Sequence, residues 1–179
     1  MSSTITVTSV SKMPNAPAVY AMYGGRGSGS YVAYVGIAGT SLRGRIEQHL
    51  IRRDSSVTTG VSAVSLNPDA VTEVRWWEHE QFTERGALEA AELVAFDVLE
   101  PALRSRGNVT AQARALYSDL TFVAEMRSVL SAPPTGRLVL PSLAEALSRI
   151  ASLEERVTAL EERVTALEER LGGAGVGDV

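Results

Sequence analysis

The sequence predicts an α+β fold: a small antiparallel β-sheet flanked by helices, followed by one long C-terminal helix built to pair with copies of itself. Three observations predict it. Two runs rich in aromatic and β-branched residues, AVYAMY from Ala18 and YVAYVG from Tyr31, flank the glycine-rich stretch GGRGSGS, which is the pattern of a β-hairpin. Apolar residues then recur at helical spacing in the segments that follow. Finally, the heptad LEERVTA begins at Leu153 and again at Leu160, and LEER returns at Leu167.

Taken in order, Ile5 to Val10 alternates weakly and is expected to form a short edge strand. The hairpin comes next. Thr40 or Ser41 can cap a helix running to about Arg53, with Leu42, Ile46, His49 and Leu50 along one face. A polar loop through Asp69 leads to a third strand, Val71 to His79. Trp76 and Trp77 are neighbours in that strand and point to opposite faces. One indole is therefore expected in the core and the other exposed, where it could stack on a base. Thr83 to Leu99 has a broad apolar helical face, and Pro101 stands where such a helix stops. One further helix is expected from Thr110 to Leu130. SAPPTGRLVLP, with its prolines, reads as a linker. The expected organisation is a core over residues 1–131, a linker over 132–141, a coiled-coil helix over 142–171 and a disordered tail over 172–179.

In the last helix, Leu153, Leu160 and Leu167 take position d, and Leu143, Ile150, Val157, Val164 and Leu171 take position a. A strict seven-residue apolar repeat makes a continuous seam and a left-handed supercoil. Glu154, Glu161 and Glu168 fall at e, and Arg156, Arg163 and Arg170 at g. In a parallel pair Arg156 meets Glu161 and Arg163 meets Glu168, whereas an antiparallel pair opposes arginine to arginine. Each exposed pair contributes only about 0.2–1 kcal/mol, but all favour the parallel homodimer. Valine at a with leucine at d also favours two strands; with no buried asparagine to fix the number, a trimer is compatible.

Composition narrows the chemistry. The chain has 179 residues and no cysteine, which excludes disulfides and cysteine-ligated zinc. Its two histidines, His49 and His79, do not make a histidine-rich metal site. A metal would rest mainly on carboxylates, which favours a hard ion such as magnesium. The polar N-terminal stretch lacks the pattern of a signal peptide and no apolar run is long enough to span a bilayer, so a soluble, cytoplasmic protein with no membrane partner is expected. The net charge of −4 is unevenly spread: residues 1–60 carry +4, residues 61–135 carry −5 and the rest −3. A basic first segment in an acidic chain suits a phosphate-binding face.

Tyr20 lies in the first hairpin strand and Tyr34 near the end of the second; Arg45 and His49 follow one helical turn apart, and Glu92 lies on the later helix. These residue types suit phosphodiester hydrolysis. A carboxylate can hold a divalent cation. Arginine can neutralise charge on the phosphate oxygens. A tyrosine near arginine and a metal has a less costly phenolate, because nearby positive charge lowers its pKa.

In this order the residues resemble the GIY-YIG nuclease family. Ala18-Val19-Tyr20 stands where that family has Gly-Ile-Tyr, and Tyr34-Val35-Gly36 where it has Tyr-Ile-Gly. SLRGRIEQHL, residues 41–50, resembles the family's next helix, with its arginine at Arg45 and its histidine at His49. AAELVAFDVLEP, residues 90–101, resembles the helix that carries the metal-binding glutamate, at Glu92. The resemblance spans about residues 16–108 and implies a Mg2+- (or Mn2+-) dependent DNA endonuclease. By it, Tyr20 activates or orients the attacking water, Tyr34 and His49 hold the reacting groups, Arg45 stabilises the transition state and Glu92 binds the metal, with Glu89 as the fallback ligand. Arg43, Arg52, Arg53 and Arg104 are the candidate DNA contacts. The sequence departs from the family pattern at Ala18, in the longer Gly24–Ser30 connection, and at Arg104, where the family often has asparagine; the nearest asparagine is Asn108. That last departure motivates a rival expectation, a catalytically silent DNA-binding or scaffold protein built on the same core.

Overall fold

The computed structural model describes residues 10–25, 27–59, 65–104, 109–141 and 143–173. They form two compact units, divided between Leu140 and Pro141. The first is an α+β domain with a four-stranded antiparallel sheet.

Strand β1 (Ala18–Gly24) is buried at every position and lies inside the sheet, between β2 (Tyr31–Ala38) and β3 (Val71–Trp77). A strand covered on both faces has no place for alternating polar residues, which is why AVYAMYG reads as a continuous apolar run. Ala18, Tyr20 and Met22 face one layer of the core with Leu42, Ile46 and Leu50 of helix α1 (Leu42–Glu47) and the turn after it. Val19, Ala21 and Tyr23 face the other, with helix α2 (Arg85–Leu99), helix α3 (Ala111–Tyr117) and helix α4 (Leu120–Ser131). Both indoles are buried, Trp76 in the first layer and Trp77 in the second. The opposite-face expectation holds, but neither ring is left exposed.

Two other expectations are corrected. The segment 132–141 is not simply a linker: Gly136–Val139 forms strand β4, paired antiparallel with β3, with Gly136 opposite Trp76. A β-carbon on Gly136 would stand 2.2 Å from the Trp76 ring, so only glycine lets the indole lie across this edge strand. The helix expected over 110–130 is two helices. Asp119 interrupts it, its carboxylate accepting from the Thr121 and Phe122 amides as an N-cap of α4. The strand expected at Ile5 to Val10 lies almost wholly outside the described residues; Val10 itself is buried in a helical turn.

The second unit is helix α5 (Leu143–Gly173), 31 residues long. Leu153, Val157, Leu160, Val164 and Leu167 are each 52–55% exposed along it. Of the tail expected over 172–179, the first two residues are helical and the rest lie outside the described residues. Among the described residues no helix is long and apolar enough to cross a membrane.

Candidate active site

The hairpin register builds the centre of the site. Tyr20 on β1 pairs with Gly36 on β2, two residues beyond Tyr34 on the same face. The Tyr20 ring lies directly over Gly36. A β-carbon there would be 2.6 Å from the Tyr20 hydroxyl and 2.9 Å from the Tyr34 ring. The tyrosines can approach each other, with centroids 6.2 Å apart, because position 36 has no side chain.

Helix α1 then delivers the basic groups. Ser41 caps it, its hydroxyl accepting from the Gly44 amide at 3.0 Å. After Glu47 the helix widens into a π-helical turn, Gln48–Arg52, and Arg53 ends it in the left-handed region at φ 57°. Such turns are rare and often found at functional sites. Here the turn buries His49 and Leu50 together. His49 Nε2 lies 2.7 Å from the Tyr20 hydroxyl, and its ring centroid is 5.7 Å from that of Tyr34. The Arg45 guanidinium donates to Gln48 Oε1 at 3.1 Å and is near enough for its charge to act on both tyrosines. Glu92, on α2, is close enough for its charge to act on both tyrosines. Tyr20, Tyr34 and His49 therefore meet in one place, with the charges of Arg45 and Glu92 near enough to act on the tyrosines.

Burial dominates the electrostatics. It pushes the Tyr20 hydroxyl well above its ordinary pKa, as do the neighbouring Tyr34 and Glu92, and Arg45 does not outweigh them. Tyr34 is raised by burial and then by Glu92. Arg45 lowers both tyrosines, in the direction expected of it, but burial is the larger effect, and without a metal both rings are neutral phenols near neutral pH. Burial, with Arg45 second, lowers His49 to about 3, so its imidazole is neutral.

The His49 shift has a stability consequence. Between about pH 6.5 and 3 the unfolded chain binds a proton at this residue that the folded chain does not. Stability is full above pH 6.5 and falls with acid by about 1.4 kcal/mol per pH unit from this group. Urea unfolding at pH 7, 6 and 5 is expected to show that slope in the wild type, and a His49→Gln variant to flatten it by one proton. Equal slopes in the two proteins would contradict a neutral buried His49.

The remaining candidates divide. Glu89 is buried, which raises its pKa, but Arg85 Nε at 2.8 Å and Thr110 Oγ1 at 2.7 Å donate to it and the net shift is downward. It ties α2 to α3 and is a poor fallback ligand. Arg43 donates to the Met13 carbonyl at 3.2 Å and Arg53 Nη1 to Asp69 at 3.3 Å, so both are engaged within the domain. Arg52 and Arg104 are exposed. Arg52 joins Arg45, Gln48 and Thr40 around an open depression of about 370 Å³ beside α1. Arg104 follows Leu103, whose amide donates to the Ala33 carbonyl at 2.9 Å as the chain leaving α2 runs along the free edge of β2, with Leu103 bridging Tyr34. Asn108 lies outside the described residues.

Among the described residues no three His, Cys, Asp or Glu side chains cluster as a metal cage. Among the described residues, Glu92 is a carboxylate whose charge reaches both tyrosines. That fits magnesium, which keeps several waters and takes one or two carboxylates plus substrate phosphates. Two features of the site were not legible in the sequence. Ser55 touches His49 from a loop with no motif of its own, and Gln48 holds Arg45. Comparison with known proteins finds no matching family model, no matching curated protein and no matching solved structure.

Proposed function

We propose that this chain is a GIY-YIG-type, divalent-metal-dependent DNA endonuclease that hydrolyses phosphodiester bonds as a parallel coiled-coil homodimer. The observation that supports the reading is the gathering of Tyr20, Tyr34 and His49 from two strands and the turn after α1, with Arg45 and Glu92 near enough for their charges to act on the tyrosines. Chance occurrence of the short motifs gives no reason for them to meet.

In this reading Tyr20 orients the attacking water, with Tyr34 beside it. Arg45, whose charge already acts on both tyrosines, neutralises charge building on the phosphate oxygens. Glu92 would hold Mg2+ or Mn2+; the ion, when bound, polarises the phosphate and eases departure of the leaving oxygen. Arg52 and Arg104 contact flanking phosphates, which position a duplex without reading its sequence. Arg43 and Arg53 contribute less, since Arg43 is held by the Met13 carbonyl and Arg53 by both oxygens of Asp69, whereas Arg52 makes a looser 3.6 Å approach to Asp54. One site cuts one strand. A parallel α5 pair places two sites under an approximate two-fold axis, matching the pseudo-symmetry of duplex DNA.

A second reading, a silent DNA-binding or scaffold protein, draws on the complete burial of Tyr20 and on Arg104 in the place of asparagine. Plasmid cleavage separates the two. Glu92→Ala is expected to nick supercoiled DNA slower by roughly two orders of magnitude or more. Equal activity in wild type and variant would remove Glu92 from the metal site. DNA binding without cleavage by either protein, in magnesium and in manganese, would favour the silent reading.

A further inference from the structure

The open depression beside α1 has a one-sided lining. Arg45, Gln48 and Arg52 border it with Thr40 and Ser41, and among the described residues no aspartate or glutamate does. That is notable in a chain of net charge −4. The neighbouring depression, which shares Gly39 and Thr40 with it, has Glu89 in its wall. Arg45, Gln48 and Arg52 are spaced by three and four residues, so they follow one stripe along α1 and the turn after it. The stripe begins where the charge of Arg45 acts on Tyr20 and Tyr34. It ends at Arg52, whose pair with Asp54 is loose at 3.6 Å with both side chains more than half exposed. Such a pair is weak and easily exchanged for a phosphate.

Gln48, between the two arginines, has two ends with different uses. Arg45 Nη1 donates to its Oε1 at 3.1 Å. A guanidinium has five N–H donors and no acceptor, so the direction of this bond and the orientation of the amide follow from the chemistry of the two groups. The carbonyl end of Gln48 faces Arg45. The Nε2 end keeps two N–H donors, and among the described residues nothing in the protein accepts from them. Gln48 is half-buried, with its open side on the depression. Glycine keeps the far wall low: a β-carbon on Gly39 would meet no atom within 4 Å, and its backbone lies outside the left-handed region.

We propose that this depression is a phosphate subsite beside the scissile bond, in which Gln48 acts twice: its Oε1 positions Arg45, and its Nε2 donates to the adjoining phosphate of the bound DNA strand. This role rests on the nuclease reading. Arg52 adds charge one turn further along the stripe. The division of labour is chemical. A guanidinium clamped by Gln48 stays aimed along the stripe instead of sampling solvent. A neutral amide donor binds a phosphate oxygen through a hydrogen bond, whereas Arg52 binds by charge and releases counterions. Neither contact reads a base, so the subsite places the strand without choosing its sequence.

The first test reads binding without cleavage. A short labelled DNA duplex is titrated with the full chain in a chelator at several salt concentrations, and fluorescence anisotropy gives the affinity. Arg52→Ala is expected to weaken binding and to lower the slope of log affinity against log salt by about 1. Gln48→Met is expected to weaken binding about tenfold at an unchanged slope, because the lost donor is neutral. Gly39→Leu fills the depression from a position where a side chain meets nothing, so it is expected to weaken binding at least as much while keeping the wild-type urea midpoint. The second test splits the two ends of Gln48 in plasmid nicking. Gln48→Met loses both and is expected to lower kcat about tenfold and raise KM. Gln48→Glu keeps an acceptor for Arg45 but turns a carboxylate towards the phosphate. It is expected to recover part of kcat while raising KM further, a crossing that a merely structural role does not produce.

A folded Gly39→Leu protein that binds DNA as the wild type does overturns the proposal. Gln48 variants that bind and cut like the wild type overturn it too, and leave the nuclease reading standing. The expected binding losses around a wild type that cuts no DNA would sink the nuclease reading and keep the phosphate subsite.

Discussion

Gly36→Ala is expected to destabilise the domain by about 1–3 kcal/mol and to abolish most of its cleavage of DNA. The reason is local and geometric. A new methyl carbon would stand 2.6 Å from the Tyr20 hydroxyl, 2.8 Å from Tyr20 Cζ and 2.9 Å from Tyr34 Cε1. None of these atoms is the free end of a flexible chain. Both rings are buried, and the Tyr20 hydroxyl is tied to His49. Relief requires the Tyr20 ring to swing off β2, which breaks its bond to His49 and its approach to Arg45. Equilibrium unfolding in urea gives the stability change, and plasmid nicking gives the activity change. An unchanged urea midpoint would mean that the Tyr20 ring does not lie across Gly36.

The second large effect concerns the α5 seam. The wild type is expected to sediment as a dimer and Leu160→Asp as a monomer. Burying a leucine or valine side chain contributes roughly 1.5–3 kcal/mol, and the seam offers several per helix. A carboxylate at the centre of the seam forfeits one such contribution and adds the cost of a buried, unpaired charge. Orientation is separately testable because the chain has no cysteine. Ile150→Cys is expected to crosslink to its own copy on oxidation. In an antiparallel pair the two sulfurs would lie about 25 Å apart at 1.5 Å rise per residue, and no crosslink would form. A monomeric wild type at micromolar concentration would remove the homodimer from the account.

The elements that the sequence displays most clearly are those in which one local pattern decides the outcome. The hairpin was legible because apolar runs flank glycines, and α1 because Leu42, Ile46, His49 and Leu50 share a face that the structure buries. The repeat of α5 was legible for the same reason. Strand β4 was not, because its residues sit among prolines and a glycine that locally signal a linker. What makes it a strand is tertiary: Trp76 needs a partner without a side chain, and Gly136 supplies it. The division of the 110–130 helix turned on one aspartate finding two amides. In the candidate site, the proximity of Tyr20, Tyr34 and His49 was legible, but how far burial outweighs arginine at the tyrosines was not. Sequence shows that arginine is near. It does not show how completely the ring leaves water, and here burial is the larger effect. Ser55 has no signal in the sequence at all, since a serine in a polar loop becomes informative only when a histidine nitrogen is found 2.8 Å away.

The most direct test of the central claim is incubation of the full-length wild type with supercoiled plasmid in magnesium, beside the same reaction with a chelator and beside Tyr20→Phe. The account predicts conversion of supercoiled DNA to nicked and then linear forms in magnesium, none with the chelator, and a severe loss in Tyr20→Phe, which keeps the ring over Gly36 but has no hydroxyl. Cleavage that persists in the chelator, or in Tyr20→Phe at the wild-type rate, would contradict it.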